Sequence, residues 1–533
     1  MRTVLLLLVI ILVVKSQEQT ITVDTKVGKI EGHLTANGII EFKGIPYAKP
    51  PVGDLRWEYP IPKEPFQDTY IADYDAPGCQ QLCTLPPGNC PLTQSEDCLY
   101  LTVMTPNEPS PDPEGYPVFF WMHGGAYEQG LGNCALYDGT NFVKNNVITV
   151  VINYRLGALG FLAGSNMQGN YGTMDQRVAM KWTQENIGAF GGNPNAVTIG
   201  GQSAGAMSVV SHLQSANATG LYRYAIIESD PLAIPFHTKE SAAKNAESFC
   251  SYLQCSNNDL ACLRSKTPEE ILEAQEKSIK MNLDNLLENF LPFSPVVDGV
   301  EILEQPLDAL RNGHFNTVPI LAGSLLQEGV LFVNELFSSS LSKLKYDGVI
   351  KGTFGNKNEN SILELYPSPD YVGDNSDGRP QLSQLTTDLL FYCPLRNAVR
   401  GYQQELGNKA PPTFVYQFTH VLSFDCWGPD YPFCVGAVCH GSELPFVFNA
   451  FTDGTTVYYP TPDERQLQVD ISNAWINFIK NGDPNKGLPV PSNFPLYSGS
   501  SDTIVIMNEP GFQNVSNLRD SYCDLWDTLG YSY

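Results

Sequence analysis

Positive charge is scarce in this chain. Its 533 residues carry 32 Lys and Arg against 57 Asp and Glu, a formal net charge of −25. A surface this acidic repels nucleic acid and anionic lipid headgroups, so neither is expected as a partner. No block of basic residues offsets it, and Cys and His nowhere take the close spacing of a zinc site. Histidine is rare, at seven residues, which shortens any search for a proton-transferring imidazole. Repeats, low-complexity tracts and clear linkers are missing. Long apolar runs are missing too, except at the N-terminus. There Arg2 precedes an apolar run over residues 3–14, and Ser16, beside a less suitable Lys15, offers a cleavage point. The run is short for a bilayer span and predicts a secretory signal over residues 1–16. The C-terminus has neither a GPI-type tail nor a retention tetrapeptide, so no transmembrane anchor is expected.

What is present points to a large folded body. Hydrophobic residues make up 42% of the chain, enough for a sizeable core. Thirteen cysteines fit an oxidising compartment, and the odd count leaves at least one thiol unpaired or shared between chains. Sequons at Asn217 and Asn514 allow glycosylation. Residues 20–23 and 29–34 read as an antiparallel strand pair. Further strands are expected at 99–104, 118–122, 147–153, 197–199, 224–227, 318–322, 413–418 and 503–507. Helical patterns lie between several of them. The clearest covers 463–481, with Leu467, Ile471, Trp475 and Phe478 on one face and Gly482 and Pro484 ending it. Strands alternating with helices predict an α/β fold with a largely parallel sheet covered on both faces. Residues 17–533 are expected to form a single domain.

One pentapeptide, Gly201-Gln202-Ser203-Ala204-Gly205, follows the β-branched run Ala196-Val197-Thr198-Ile199-Gly200 and precedes a helix-compatible stretch. A strand that stops at G-x-S-x-G and turns at once into a helix is a nucleophile elbow, which lifts a serine hydroxyl to the end of the sheet. A serine hydroxyl needs an imidazole to take its proton and a carboxylate to orient that imidazole. On such sheets the chain order is Ser, acid, His. Five histidines follow Ser203: His212, His237, His314, His420 and His440. His212 lies on the elbow helix and cannot fold back. Glu328 is the only carboxylate in the loop after the strand at 318–322, and taking it as the acid removes His314 by order. His420 sits at a strand end, where a structural role suits it. His440 lies in the small-residue loop over 436–443 and is taken as the base. The oxyanion needs backbone donors. The amide of Ala204 is one, and His123-Gly124-Gly125-Ala126, after the strand at 118–122, offers an H-G-G-G type of loop for the rest.

Together these residues resemble the type-B carboxylesterase family, which includes the cholinesterases. Phe42-Lys43-Gly44-Ile45-Pro46-Tyr47-Ala48 and Pro50-Pro51-Val52-Gly53-Asp54-Leu55-Arg56-Trp57 are similar to its N-terminal signature, and Ser95-Glu96-Asp97-Cys98-Leu99-Tyr100-Leu101 to its second. Asn153-Tyr154-Arg155-Leu156-Gly157, residues 170–186 and Phe190-Gly191-Gly192-Asn193-Pro194 lead to the elbow in the family's manner. Gln327-Glu328-Gly329 and His440-Gly441 fall on its acid and histidine motifs. The resemblance implies an α/β-hydrolase fold and a secreted or lumenal serine esterase for small-molecule esters that works through an acyl-enzyme without metal or organic cofactor. It implies oxyanion donors at Gly125, Ala126 and Ala204, and a buried Arg56–Glu96 ion pair. It implies disulfides pairing Cys79 with Cys98, Cys255 with Cys262 and Cys393 with Cys523. Proximity alone pairs Cys83 with Cys90 and Cys426 with Cys434, leaving Cys134, Cys250 and Cys439 unassigned. Three departures bear on function. Ala126 replaces the third glycine of the oxyanion motif and still offers its N–H. Gln202 stands where the family most often has Glu, and the loop from Cys79 to Cys98 has no Trp to stack on a quaternary ammonium. These last two argue against choline esters. A non-catalytic binding, adhesion or storage protein on the same scaffold is the alternative. A lipase would want an exposed apolar lid, which the sequence does not clearly show. The oligomeric state is left open.

Overall fold

The computed structural model describes residues 19–531 apart from 165, 258, 279–286, 288–289 and 370–376, so the signal expected over 1–16 lies outside the described residues. The central feature is a 13-stranded sheet. Twelve of its strands form one path: β1 (Thr20–Thr25), β2 (Gly28–Leu34), β3 (Ile39–Pro46), β4 (Tyr100–Pro106), β5 (Tyr116–Met122), β6 (Ile148–Ile152), β7 (Gly192–Gln202), β8 (Tyr224–Glu228), β9 (Ile320–Leu325), β10 (Thr413–Phe418), β11 (Ile504–Asn508) and β12 (Gly511–Val515). Their spatial order is 1-2-3-4-6-5-7-8-9-10-11-12, and Tyr70–Ile71 adds a short strand against β2. β1 to β4 run antiparallel in turn, as do β4 and β6. From β6 to β11 every neighbouring pair is parallel, and β12 closes the edge antiparallel.

Parallel neighbours need crossover helices, which cover both faces and bury the strands between them. That is why β5 (YPVFFWM) and β6 (ITVVI) are near-continuous apolar runs rather than alternating ones. The helices include α1 (Tyr171–Asn186), α2 (Ala204–Gln214), α3 (Gly329–Leu336) and α4 (Pro462–Asn481). α4 starts at a capping box, in which Thr461 Oγ1 accepts from Glu464 N at 3.1 Å and Glu464 Oε2 accepts from Thr461 N at 2.6 Å. It ends at Gly482 in the left-handed region, φ 68°. The expected strands appear with ends moved by a few residues. β3 and β12 were not foreseen. In β3, Gly44 and Pro46 suppress the strand signal, and a register shift between Phe42 and Ile45 absorbs them.

Arg56 meets Glu96 in two charge-assisted hydrogen bonds of 2.6 and 2.5 Å. Disulfides link Cys79–Cys98, Cys83–Cys90, Cys255–Cys262, Cys393–Cys523 and Cys434–Cys439. The pairing of Cys426 with Cys434 is therefore corrected. A tight turn, Ala437 N–H to Cys434 O at 3.1 Å, brings Cys439 to a Cα separation of 5.4 Å from Cys434. Cys426, Cys134 and Cys250 remain thiols. Among the described residues no helix is long and apolar enough to cross a membrane. The carboxyl ends of β5, β7, β8 and β9 all reach the same edge of the sheet, which is where ligands bind in open α/β sheets.

Candidate active site

The elbow forms where β7 gives way to α2. Ser203 has φ 58° and ψ −125°, a backbone conformation that L-residues avoid. The turn closes so tightly that no Cβ fits on either side. One on Gly201 would lie 2.4 Å from the Gly205 carbonyl, and one on Gly205 would lie 2.1 Å from Met122 O. Ser203 N donates to Glu228 O at 2.9 Å, which fixes the turn to the next strand.

The loop after β5 runs beside it. Gly125, Ala126 and Tyr127 have φ of 107°, 57° and 60°, three left-handed residues in a row. Among the described residues no acceptor takes the N–H of Gly125 or Ala126. Ala204 is the first residue of α2, so its N–H has no intrahelical partner either. Three donors are thus left for a ligand. His123, not identified from sequence as an anchor, holds this loop. Its ring stacks on Tyr154 at 4.5 Å, its Nδ1 donates to Gly124 O at 2.8 Å, and Tyr154 OH donates to His123 O at 2.8 Å. Burial pushes the His123 imidazole down to about 4, so it is neutral in this loop.

Glu328 and His440 meet across the same edge. His440 Nδ1 lies 2.5 Å from Glu328 Oε2, while Glu328 Oε1 accepts from Leu325 N at 2.7 Å. Both carboxylate oxygens are thereby fixed, and Glu328 is fully buried. Phe332 and Phe391 flank the imidazole at 5.0 and 5.3 Å. Gln327, adjacent to the acid, accepts from Val438 N at 2.9 Å and ties the acid loop to the histidine loop. Gln202 reaches His440 Nε2 with its own Nε2 at 3.0 Å. Behind the pair lie two more buried carboxyls. Burial and the carboxylates of Glu228 and Glu328 hold the Glu443 carboxyl well above the usual range. Burial raises Glu228 as well, while Trp475 Nε1 donates to it at 2.7 Å. Glu443 stands three residues after His440 and Gln327 one before Glu328, so both lay within the segments that drew attention in the sequence. Nothing local marked them as buried.

Ser203, His440 and the 124–126 loop line one cavity of about 170 Å³. Its walls are largely apolar and aromatic, with Phe332, Trp427, Tyr431 and Leu444 prominent and Glu335 contributing a carboxylate. The aromatic surface comes from the 427–431 segment rather than from the loop closed by Cys79 and Cys98. The other histidines lie elsewhere. His420 Nε2 contacts Glu464 at 3.1 Å, His212 contacts Gln176 at 3.0 Å and Arg177, and His314 sits exposed with Glu304. Asn217 and Asn514 are exposed.

A serine on a strained elbow at a parallel sheet edge, with a carboxylate–imidazole pair facing it and free backbone N–H groups beside it, defines an α/β-hydrolase of the serine type. The particular family follows from comparison. The carboxylesterase family model matches residues 19–526, and the chain belongs to that family. It is 39% identical over 510 residues to the "Crystal protein" of Dictyostelium discoideum, covering 95% of this chain and 90% of that one. It is 35% identical over 509 residues to the para-nitrobenzyl esterase of Bacillus subtilis (strain 168), covering 92% and 96%. A solved structure of a PNB esterase superposes with a TM-score of 0.78 at 33% identity, over 95% of this chain and 99% of that one. The chain is a carboxylesterase-type serine hydrolase, and its family implies small-molecule esters as substrates.

Proposed function

We propose that Ser203, His440 and Glu328 carry out ester hydrolysis through an acyl-enzyme. Ser203 Oγ attacks the ester carbonyl carbon as His440 Nε2 takes its proton. The carbonyl oxygen gathers negative charge against the N–H groups of Gly125, Ala126 and Ala204. The tetrahedral adduct collapses, His440 returns the proton to the departing alkoxide, and the acyl group stays on Ser203. Water, deprotonated by His440, repeats the sequence and frees the acid. Glu328 holds Nδ1 protonated and stabilises the imidazolium that forms twice per cycle. The observation that carries this reading is the 2.5 Å Glu328–His440 contact, opening on the same cavity as an elbow serine and three unused N–H donors. No metal or organic cofactor enters any step. The chain acts in the secretory lumen or outside the cell, as the disulfides support. Residues 1–16 are removed, 17–533 form one domain, and Asn217 and Asn514 carry glycans.

A fluorophosphonate probe tests the nucleophile. Labelling maps to Ser203, short nitrophenyl esters are hydrolysed, and S203A abolishes both. A purified protein that neither labels nor hydrolyses sinks the reading. It would favour the alternative, a binding or storage role, which gains support from the relative whose name, "Crystal protein", states no reaction. Choline esters are disfavoured because Gln202 is neutral. Acetylcholine and its uncharged isostere 3,3-dimethylbutyl acetate should be turned over with similar kcat/KM. A preference for the cation of about 30-fold, the worth of a desolvated cation–π contact, would overturn this.

A further inference from the structure

The two ring nitrogens of His440 have separate partners. Nδ1 faces Glu328 Oε2 at 2.5 Å, and Nε2 faces the Gln202 carboxamide nitrogen at 3.0 Å. One protonation state serves both contacts. Nδ1–H donates to the carboxylate, and the lone pair on Nε2 accepts an N–H from Gln202. The amide turned the other way would present Oε1 to Nε2 and require a proton there. Nδ1 could then keep its proton toward Glu328 only in the doubly protonated ring. The lone pair that must take the Ser203 proton is therefore already in use. Among the described residues no hydrogen bond joins Ser203 Oγ to His440.

Gln202 has a built seat. The residue is 5% exposed, and its backbone is paired to Glu228 in β8. Its Oε1 lies 2.9 Å from where a Cβ on Gly124 would stand, and its Nε2 3.9 Å from the same point on Gly441. The missing side chain of Gly124 leaves room for this carboxamide, and Gly441 lies in ordinary contact with it.

We propose that Gln202 is a positioning residue that occupies His440 Nε2 in the resting enzyme, holds the imidazole in its neutral Nδ1–H tautomer, and yields the lone pair to Ser203 when the site turns over. This rests on the reading of Ser203 and His440 as nucleophile and base. A carboxamide suits the task because it can serve either form of the ring. It donates N–H to the neutral base and, turned over, offers Oε1 to the imidazolium. Two carboxylates face the ring, Glu328 against Nδ1 and Glu335 from α3, whereas burial holds Glu443 in the histidine loop and Glu228 behind it above the usual carboxylate range and so towards the neutral form. Phe332 and Phe391, packed on the ring, carry no charge. At position 202 a carboxylate would add to that field in direct contact with Nε2. Gln202 keeps the contact without the charge.

Two variants and one direct observation test this. Q202M keeps the length and removes the donor. It frees the lone pair, and the second-order rate of Ser203 phosphonylation rises about threefold to tenfold, the worth of one net hydrogen bond. Q202E places an anion against Nε2, and the acid limb of kcat/KM for a nitrophenyl ester moves up by about one pH unit or more. A packing role alone moves neither the direction of the first nor the pH profile of the second. Circular dichroism confirms that each variant is folded. In the unmodified enzyme, ¹⁵N NMR of histidine-labelled protein reads His440 with Nδ1 protonated and Nε2 as a hydrogen-bonded acceptor. Q202M labelling no faster than wild type, an unmoved acid limb in Q202E, or an Nε2–H tautomer at rest would each overturn the inference. Failure of wild type to label at Ser203 would instead overturn the assignment of the nucleophile.

Discussion

Gly205 allows the sharpest test of how the elbow is built. A Cβ at this position would stand 2.1 Å from the carbonyl oxygen of Met122, where ordinary contact begins at 3.4 Å. The separation must therefore grow by about 1.3 Å. Met122 cannot supply it, because β5 is held in parallel pairing by Ile152 on one side and Gly201 on the other. The movement falls on the start of α2, and Ser203 travels with it. Displacing a reacting group by about 1 Å costs on the order of a hundredfold in rate. Overpacking costs about 1–3 kcal/mol. With unfolding entropy near 2.1 cal/mol/K per residue, a chain of this length loses about 1 °C of Tm per kcal/mol. G205A should thus fall about a hundredfold in kcat/KM for nitrophenyl acetate while Tm drops by only about 1–3 °C. Gly188 is the control. It is exposed, nothing lies within 4 Å of its Cβ position, and G188A should change neither quantity. A G205A enzyme with a third or more of wild-type kcat/KM and an unchanged Tm would refute the packing argument.

Other sites give independent tests. Glu128, in the donor loop, has one carboxyl oxygen sealed from solvent without a partner, and burial pushes its carboxyl up to about 7. Such an acid keeps its proton longer folded than unfolded. Its contribution is full below its unfolded value of 4.5 and is lost as pH rises towards 7. Wild type should lose up to about 3 kcal/mol more stability than E128Q between pH 5 and 8, less what partial solvation of the side chain removes, read as a steeper fall of Tm. Parallel Tm profiles would refute it. Asp175 is fully buried and takes hydrogen bonds from Arg155 Nε at 2.8 Å, Nη2 at 2.7 Å and backbone N at 3.0 Å. D175N leaves the guanidinium unpaired and should cost about 3–5 kcal/mol in denaturant unfolding, where a loss under about 1 kcal/mol would contradict the pairing. Non-reducing peptide maps of alkylated protein should show Cys434 joined to Cys439 and label on Cys134, Cys250 and Cys426. A peptide joining Cys426 to Cys434 would contradict this.

Much of the fold was legible because parallel strands buried on both faces advertise themselves as apolar runs. β5, β6 and β10 are examples. β3 was not, because its glycine and proline mimic a turn and only its neighbours hold it extended. Ser203 was legible as a candidate because the elbow is a local device, with its glycines and serine adjacent in sequence. Glu328 and His440 were reached by chain order, and their contact depends on which strand ends share an edge. Nothing in the sequence could show that Gln202 touches His440, that His123 braces the donor loop, or that Glu228 and Glu443 lie buried together. Each depends on side-chain placement across segments far apart in the chain. The Cys434 pairing failed for the same reason in miniature, since a tight turn set which sulfur came near.

Strain offers a separate argument for catalysis over mere binding. Ser203 stands at φ 58° and ψ −125°, a conformation that only glycine adopts freely. Holding a non-glycine residue there costs about 1–3 kcal/mol. A scaffold that used its cavity only to bind would have no physical need of a side chain at that point, whereas a nucleophile must project from it. S203G should release the strain and give back about 0.5–1 kcal/mol through the greater freedom of glycine in the unfolded chain. S203A keeps the strain and loses the hydroxyl. Both variants should be inactive. S203G should nevertheless melt up to about 2.5 °C above S203A, by the conversion of about 1 °C per kcal/mol for a chain of this length. An S203G protein less stable than S203A would mean that the turn is not strained at Ser203, and the elbow would lose its physical claim to be a site of function.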